Sequence, residues 1–471
     1  MRLRTRHQDR RQQAHHRLRQ GRREEGRGQF CGAGVKPTNF ARLSIQSPKR
    51  TKASQVGWHG FFPYYAGYPE SFASELISSA CLAEGSVVYD PWNGSGTTTF
   101  AATSNSSHAV GVDLNPAMVV VAKARLLPTS EADSIEPLGR KIVELARKHD
   151  FNLSEEDPLC AWFGNGNART IRSIEESIRA HLVGSHTYSD GQVNLENLSS
   201  IAAANFVALF SVCRKFAAKF QSTNPTWIRY PREDENRPRV NNDSIFEEFL
   251  TNIRGMAQTL AARSQINGHE TARPEIKLGD STSVALPAGS VDMILTSPPY
   301  CTRIDYTAAT RLELAVLHPL TKIDIPNLSR QMIGSVRVPT EKIEICSDWG
   351  ETCSKFLRDV QSHPSKASSG YYYRTHLDYF CKMSNSIQNL SRSLKTSGLA
   401  VLVVQDSYYK DVYNDLPKMI SEICSFHNLK LRRREDFRIQ RTMAGLHPYS
   451  RGYKRPMSAL EAVLCFEKLG G

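Results

Sequence analysis

Ten cysteines are spread through the 471 residues, but no two form a CxxC pair, so neither a zinc ribbon nor a disulfide framework is suggested. No apolar run is long enough to cross a bilayer: the longest, Ser200 to Cys213, is interrupted by Asn205. The first thirty residues lack an apolar core, so no secretory signal is expected there, and a reducing cytoplasm is the expected home. The phosphate-loop pattern of two glycines with four residues between them, followed by Lys-Ser or Lys-Thr, is absent, as is the third glycine of a dinucleotide fingerprint. No internal repeat is present. Acidic residues are scarce at one end only. Residues 1–50 hold 14 basic against 3 acidic side chains, whereas the remaining residues hold 46 against 44. The formal charge of +13 therefore belongs mostly to the tail.

What is present divides into four spans. Residues 1–54, rich in Arg, Gln and Gly, show no apolar periodicity and are expected to be a basic, disordered tail. Such a tail reads either as an arm on a phosphate backbone or as a dispensable extension from a start assigned too far upstream. Residues 55–130 alternate between strand and helix signals: a helix over Glu70 to Leu82, a strand SVVYD at 86–90, a helix from Thr97, a strand HAVGVD at 108–113, and a helix after Pro116. Residues 131–271 lose the strand rhythm, and their periodicity predicts helices near 135–149, 198–221 and 244–264. In residues 272–471 strands resume at EIKLGD (275–280), VDMILT (291–296), LAVLVVQD (399–406) and LEAVLCFEK (460–468), with an irregular insertion expected at 320–375. The βαβ rhythm predicts an α/β fold with a parallel sheet.

Two stretches carry chemistry. DPWNGSGTTTF, from Asp90 to Phe100, follows a strand and opens a helix, the context in which a glycine turn admits a ligand. Asp90 can face an ammonium group and the helix start a carboxylate, which suits a nucleoside-like cofactor with an amino-acid tail. Asp113, ending the next strand, is placed for ribose hydroxyls or for capping the helix after DLNP. TSPPY, from Thr296 to Tyr300, also ends a strand. Its prolines offer no backbone donors, so the turn presents carbonyl acceptors beside the Ser297 hydroxyl and the Tyr300 ring, apt for a planar substrate bearing an amine. In an open parallel sheet ligands bind at the carboxyl ends of the strands, where Asp90, Asp113, Asp280 and Ser297 would converge.

DPWNGSGTT, GVDLNP, GDSTSVALPAGSVDMILTSPPY and LAVLVVQDSYY together resemble the S-adenosylmethionine-dependent amino-methyltransferases of DNA, over about Trp58–Leu126 and Glu275–Lys468. The resemblance implies a Rossmann-like class I fold: a mostly parallel seven-stranded sheet with helices on both faces, here with a largely helical insertion. It implies methyl transfer to the exocyclic amine of a flipped base in double-stranded DNA, and it suggests a cognate restriction endonuclease or defence-system partner. By the resemblance Ser297, Pro298, Pro299 and Tyr300 form the catalytic loop, with Ser297 and the Pro298 carbonyl holding the amine hydrogens and Tyr300 stacking on the base. Cofactor contacts are implied for Phe61, Phe62, Pro63 and Tyr64, for Asp90, Pro91, Asn93, Gly94, Ser95, Gly96 and Thr97, and for Asp113, Asn115, Asp280 and Ser281. Ser at 297 leans toward cytosine N4. Adenine N6, a tRNA guanine-N2 methyltransferase and a catalytically silent DNA-binding protein remain alternatives. Cys301 follows Tyr300 rather than Pro and is expected to be a small buried residue, not a nucleophile. Asp406 is a candidate for the pocket wall. DNA contacts are sought in Arg303 and in the basic, aromatic stretch containing Arg438, Arg441, Tyr449, Arg451 and Lys454, although Leu431 to Ile439 reads equally as an edge strand. The insertion, with NPTWIRYPRED and the basic helix around Arg214, Lys215 and Lys219, is the candidate for target recognition.

Overall fold

A computed structural model describes residues 38–50, 57–62, 67–149, 151–184, 188–189, 192–222, 227–233, 235–264, 274–284, 286–302, 305–337, 342–439 and 458–470. Strands β1 (Val87–Asp90), β2 (His108–Asp113), β3 (Pro274–Leu278), β4 (Val291–Thr296), β5 (Leu394–Gln405), β6 (Leu429–Ile439) and β7 (Ala459–Lys468) form one sheet in the order β6-β7-β5-β4-β1-β2-β3. The pairs from β3 through β5 are parallel, and β7 runs antiparallel to both β5 and β6. The helices are α1 (Glu70–Ser79), α2 (Thr97–Ser104), α3 (Pro116–Arg125), α4 (Ala132–Lys148), α5 (Asn165–Leu182), α6 (Ser200–Phe216), α7 (Asn242–Ser264), α8 (Tyr306–Thr321), α9 (Ile325–Gln331), α10 (Gly350–Ser362), α11 (Tyr373–Ser393) and α12 (Leu416–Phe426). None of the described helices is long and apolar enough to cross a membrane.

Strands β1, β2, β4, β5 and β7 are largely buried on both faces, with successive residues alternating between two cores, whereas the edge strands β3 and β6 are largely exposed. Val88, Met293, Leu295, Val401 and Val403 pack with Phe72, Leu76 and Ile77 of α1 and with Ala101 and Ala102 of α2. Tyr89, Ile294, Leu402 and Val404 pack on the other face with Phe356 of α10, Phe380 and Met383 of α11, and Ile420 of α12. A third core joins α3 to α4–α8, uniting Val119 and Val120 with Phe206, Leu209, Phe249, Ile253 and Leu317.

Three segments differ from expectation. Residues 38–50, expected to belong to the disordered tail, pack on the fold: Leu43 is buried with Phe72 and Leu76 of α1, and Arg433 of β6 donates to the Phe40 and Leu43 carbonyls at 2.9 and 2.8 Å. Residues 320–375 are not irregular throughout: they contain α9 and α10, because Cys353, Phe356, Leu357 and Val360 recur at helical spacing inside a polar sequence and are buried. Helix α5 escapes the periodicity reading because charged residues occupy its buried stripe: Arg172 and Glu175 are fully buried between the apolar Ile171, Ile174 and Ile178. Pro319 inside α8 cannot donate to the carbonyl four residues before it, and Arg172 fills that need, donating to the Ala315 and Val316 carbonyls at 2.6 Å and to Asp157 at 2.7 Å. Leu429–Ile439 is indeed the edge strand.

Candidate active site

The two motifs leave adjacent parallel strands at the same rim, since β1 pairs with β4 through Val88–Met293 and Tyr89–Ile294. Asp90 joins them. Thr296 Oγ1 of the TSPPY stretch donates to one carboxylate oxygen at 2.6 Å, Thr98 Oγ1 of α2 to the other at 2.5 Å, and the Trp92 amide adds a third bond at 3.1 Å. Tyr68 in turn bonds Thr98 at 2.6 Å. All of these donors are neutral, so burial pushes the Asp90 carboxyl up to about 6 against their stabilising pull. A carboxylate in that state is suited to a cationic partner.

The turn itself holds a tight geometry. Gly94 and Gly96 adopt left-handed backbone angles, with φ of 49° and 77°. A Cβ on Gly96 would lie 2.9 Å from that of Ala122, so α2 and α3 pack in contact there, whereas a Cβ on Gly94 would meet nothing closer than the Trp92 carbonyl at 3.9 Å. Asn93 tucks beneath, into space left by Gly111, whose Cβ would sit 2.4 Å from its amide. Its Oδ1 accepts from Thr99 at 3.2 Å, while its Nδ2 and the Trp92 indole nitrogen are buried donors without a partner among the described residues. Pro91 is buried behind them.

Asp113 is not the helix cap. Asn115 caps α3, accepting from the Ala117 amide at 3.0 Å and donating to Thr310 of α8 at 2.7 Å. Asp113 instead accepts from Gly94 N and Asn115 N, both at 2.8 Å, binding the turn to the end of β2, and burial raises its carboxyl to about 6. Half-buried Asp280 accepts from the Thr282 amide at 2.8 Å, on a turn held by Asn389 of α11. Ser281 faces the interior, its hydroxyl on Ser386 at 2.8 Å. Phe62 is buried against Trp58, and Phe61 packs toward Gly255 of α7, so both belong to the core behind the turn. Pro63, Tyr64, Arg303, Arg441, Tyr449, Arg451 and Lys454 lie outside the described residues.

The Ser297–Tyr300 corner is braced from three sides. Ser297 Oγ donates to the Val403 carbonyl of β5 at 3.1 Å. Tyr379 of α11 donates to the Pro299 carbonyl at 2.8 Å, and the Tyr300 amide donates to the Tyr306 hydroxyl at 3.0 Å. The Tyr300 phenol bonds Glu461 of β7, a buried carboxyl that burial pushes up to about 7 against the opposing pull of Lys49 and that phenol. Sequence reasoning missed Glu461, because it lies in a strand that reads as continuous core. Cys301 is 6% exposed and its thiol is pushed up to about 12, the state of an inert buried side chain. Asp406 lies at the end of β5, accepting from Leu460 N at 2.7 Å and from Tyr413 at 3.1 Å.

Toward the outer surface, Arg438 is exposed on the edge strand. The insertion's basic helix is spent internally: Arg214 pairs with Glu313, Lys215 with Glu248, and Lys219 with the Asn236 carbonyl. A different feature stands out there. Exposed Tyr230 stacks on Trp162 at 4.7 Å, and Arg311 of α8 lies 4.6 Å over its ring.

A sheet of this order, with one antiparallel strand inserted near an edge and ligand motifs at the carboxyl rim, is the Rossmann-like methyltransferase fold. A family model described as DNA methylase, of the N6 and N4 methyltransferase type, matches residues 2–124. The type II methyltransferase M.BsoBI of Geobacillus stearothermophilus is 23% identical over 60% of this chain and 57% of its own length. The type II methyltransferase M.MvaI of Kocuria varians is 22% identical over 79% of this chain and 82% of its own. The rRNA methyltransferase aviRa from Streptomyces viridochromogenes covers 92% of this chain at 11% identity and a TM-score of 0.25, a likeness too distant to bear on function. The family match and the two type II relatives support the amino-methyltransferase family of DNA for this chain.

Proposed function

We propose that the chain methylates the exocyclic amine of a base flipped out of double-stranded DNA, cytosine N4 in particular, with S-adenosylmethionine as donor. The observation that carries this reading is the shared rim: through Thr98 and Thr296, Asp90 ties the glycine turn to the loop bearing Ser297–Tyr300. The residues present fit the cofactor. Among the described residues no cation pairs with the buried Asp90 carboxylate and no acceptor meets the buried donors of Asn93 and Trp92, while Asp113 and Asp280 offer carboxylates for hydroxyl and amine groups. Bound there, the cofactor would supply an electrophilic methyl on a sulfonium.

The chain's own residues handle the amine. Because the Ser297 hydrogen is committed to the Val403 carbonyl, the oxygen faces a substrate as an acceptor only. The Pro298 carbonyl, which has no partner among the described residues, is the second acceptor. Two acceptors on one amine draw its hydrogens apart and free the nitrogen lone pair from the ring. Tyr300, its phenol tethered to Glu461, presents a face on which the flipped base stacks for about 1–3 kcal/mol, offsetting part of the few kcal/mol that unstacking costs. A cytoplasmic enzyme with a cognate restriction endonuclease is consistent with relatives named as type II methyltransferases. The test is incubation of the purified chain with methyl-labelled S-adenosylmethionine and either unmethylated duplex DNA or tRNA, followed by digestion and mass spectrometry of the nucleosides. N4-methylcytosine in the DNA is the expected product. Label in tRNA alone, or in neither, would overturn the reading.

A further inference from the structure

Arg125 ends α3 and is 1% exposed, yet among the described residues no carboxylate lies within ion-pairing distance of it. Its Nη1 donates to Thr97 Oγ1 at 2.6 Å and reaches Ser95 Oγ at 3.4 Å; its Nε is buried without a partner. The guanidinium lies 5.1 Å over the Phe62 ring. Arg50 approaches the same point, its Nη2 3.5 Å from Thr97 Oγ1. Burial and the neighbouring Arg50 push Arg125 down to about 9, while Glu70 provides only a distant counter-charge. A buried cation held by neutral hydroxyls is costly unless an anion completes it.

The hydroxyls show where that anion would sit. Thr97 Oγ1 accepts from Arg125 and Arg50, and Ser95 Oγ accepts from Arg125, so the proton of each hydroxyl is left to be donated elsewhere. Both residues stand in the glycine turn at the start of α2, whose unsatisfied amides favour negative charge as well. We infer that Arg125 is a positioning residue that, through Ser95 and Thr97, makes the turn selective for ligands carrying a carboxylate. Resting on the methyltransferase reading, this assigns to Arg125 the recognition of the aminoacyl end of the cofactor.

The experiment compares two ligands by calorimetry: S-adenosylhomocysteine, which has the carboxylate, and 5′-methylthioadenosine, which lacks the whole aminoacyl end. Arg125→Met is expected to weaken S-adenosylhomocysteine roughly tenfold to a hundredfold, the range for a lost charge-assisted hydrogen bond, and to leave methylthioadenosine within about twofold. Arg125→Lys, which keeps the charge, is expected to restore most of the difference. Arg50→Met, read the same way, gives a second measurement should Arg125→Met fail to fold, with a smaller loss confined to S-adenosylhomocysteine. Equal losses for both ligands, or no loss for S-adenosylhomocysteine, would overturn the assignment. A wild-type protein that bound neither ligand would overturn the methyltransferase reading together with this one.

Discussion

Replacing Asp90 with Asn separates the stability of this site from its binding function. The carboxyl is 4% exposed and its three donors are neutral. Folding raises its pKa from 3.8 to about 6. A raised value means the folded chain holds the proton more tightly than the unfolded one. The group's contribution to stability is therefore complete below pH about 4 and is lost as the pH climbs through about 6. At pH 7.5 the loss amounts to roughly 3 kcal/mol. Asn is nearly isosteric and neutral, and the Thr98 and Thr296 hydroxyls can reorient to accept from its amide. Without ligand, Asp90→Asn is thus expected to melt a few degrees above wild type at pH 7.5 and level with it near pH 4. Binding should move the other way. If, as proposed, Asp90 faces the ammonium of the cofactor, removing its charge is expected to weaken S-adenosylhomocysteine by about 2 to 3 kcal/mol, roughly 30- to 150-fold. Thermal unfolding at the two pH values and calorimetry at pH 7.5 read both effects. A variant that is less stable without ligand and binds as tightly as wild type would refute the argument.

Three further outcomes are expected. Ser297→Ala should lower turnover by roughly 30-fold to 1,000-fold with S-adenosylhomocysteine affinity unchanged, as single-turnover and binding measurements would show, because among the described residues its hydroxyl bonds only the Val403 carbonyl. Gly96→Ala should destabilise the fold by about 2 kcal/mol or more in a denaturant titration, since its Cβ would press on Ala122, whereas Gly94→Ala should lose only the left-handed penalty of about 1 kcal/mol. Cys301→Ala should keep turnover within about threefold, its thiol being buried and protonated, and abolished transfer would implicate it in the chemistry.

Six of the seven strands and both rim motifs were legible because local signals carry them: apolar runs of strand length, a Gly-x-Gly after a strand, and Pro-Pro after another; the charged edge strand Leu429–Ile439 read equally as a nucleic-acid contact. The bond from Gly94 to Asp113 was not legible, since a contact between residues nineteen positions apart leaves no mark on spacing. Helix α5 and residues Arg172, Arg125 and Glu461 were not legible for one shared reason. Each is a charged side chain that pattern reading assigns to solvent or passes over inside an apolar run, and only packing shows the charge to be buried. The internal pairing of Arg214, Lys215 and Lys219 likewise depends on partners 17 to 99 residues away. A count of basic residues on one helix cannot tell a binding face from one whose cations already have partners within the chain.

Helix α3 has two tenants. Its Ala122 is the wall against which Gly96 rests, and its Val119 and Val120 belong to the core shared with α6 and α7. The insertion therefore cannot be exchanged for that of another methyltransferase like a cartridge. A graft that left α3 behind would strip the back of the glycine turn, and one that carried α3 along would have to bring a partner for Gly96 with it. Chimeras of this chain are expected to work only when the junctions fall outside β2 and α3 together.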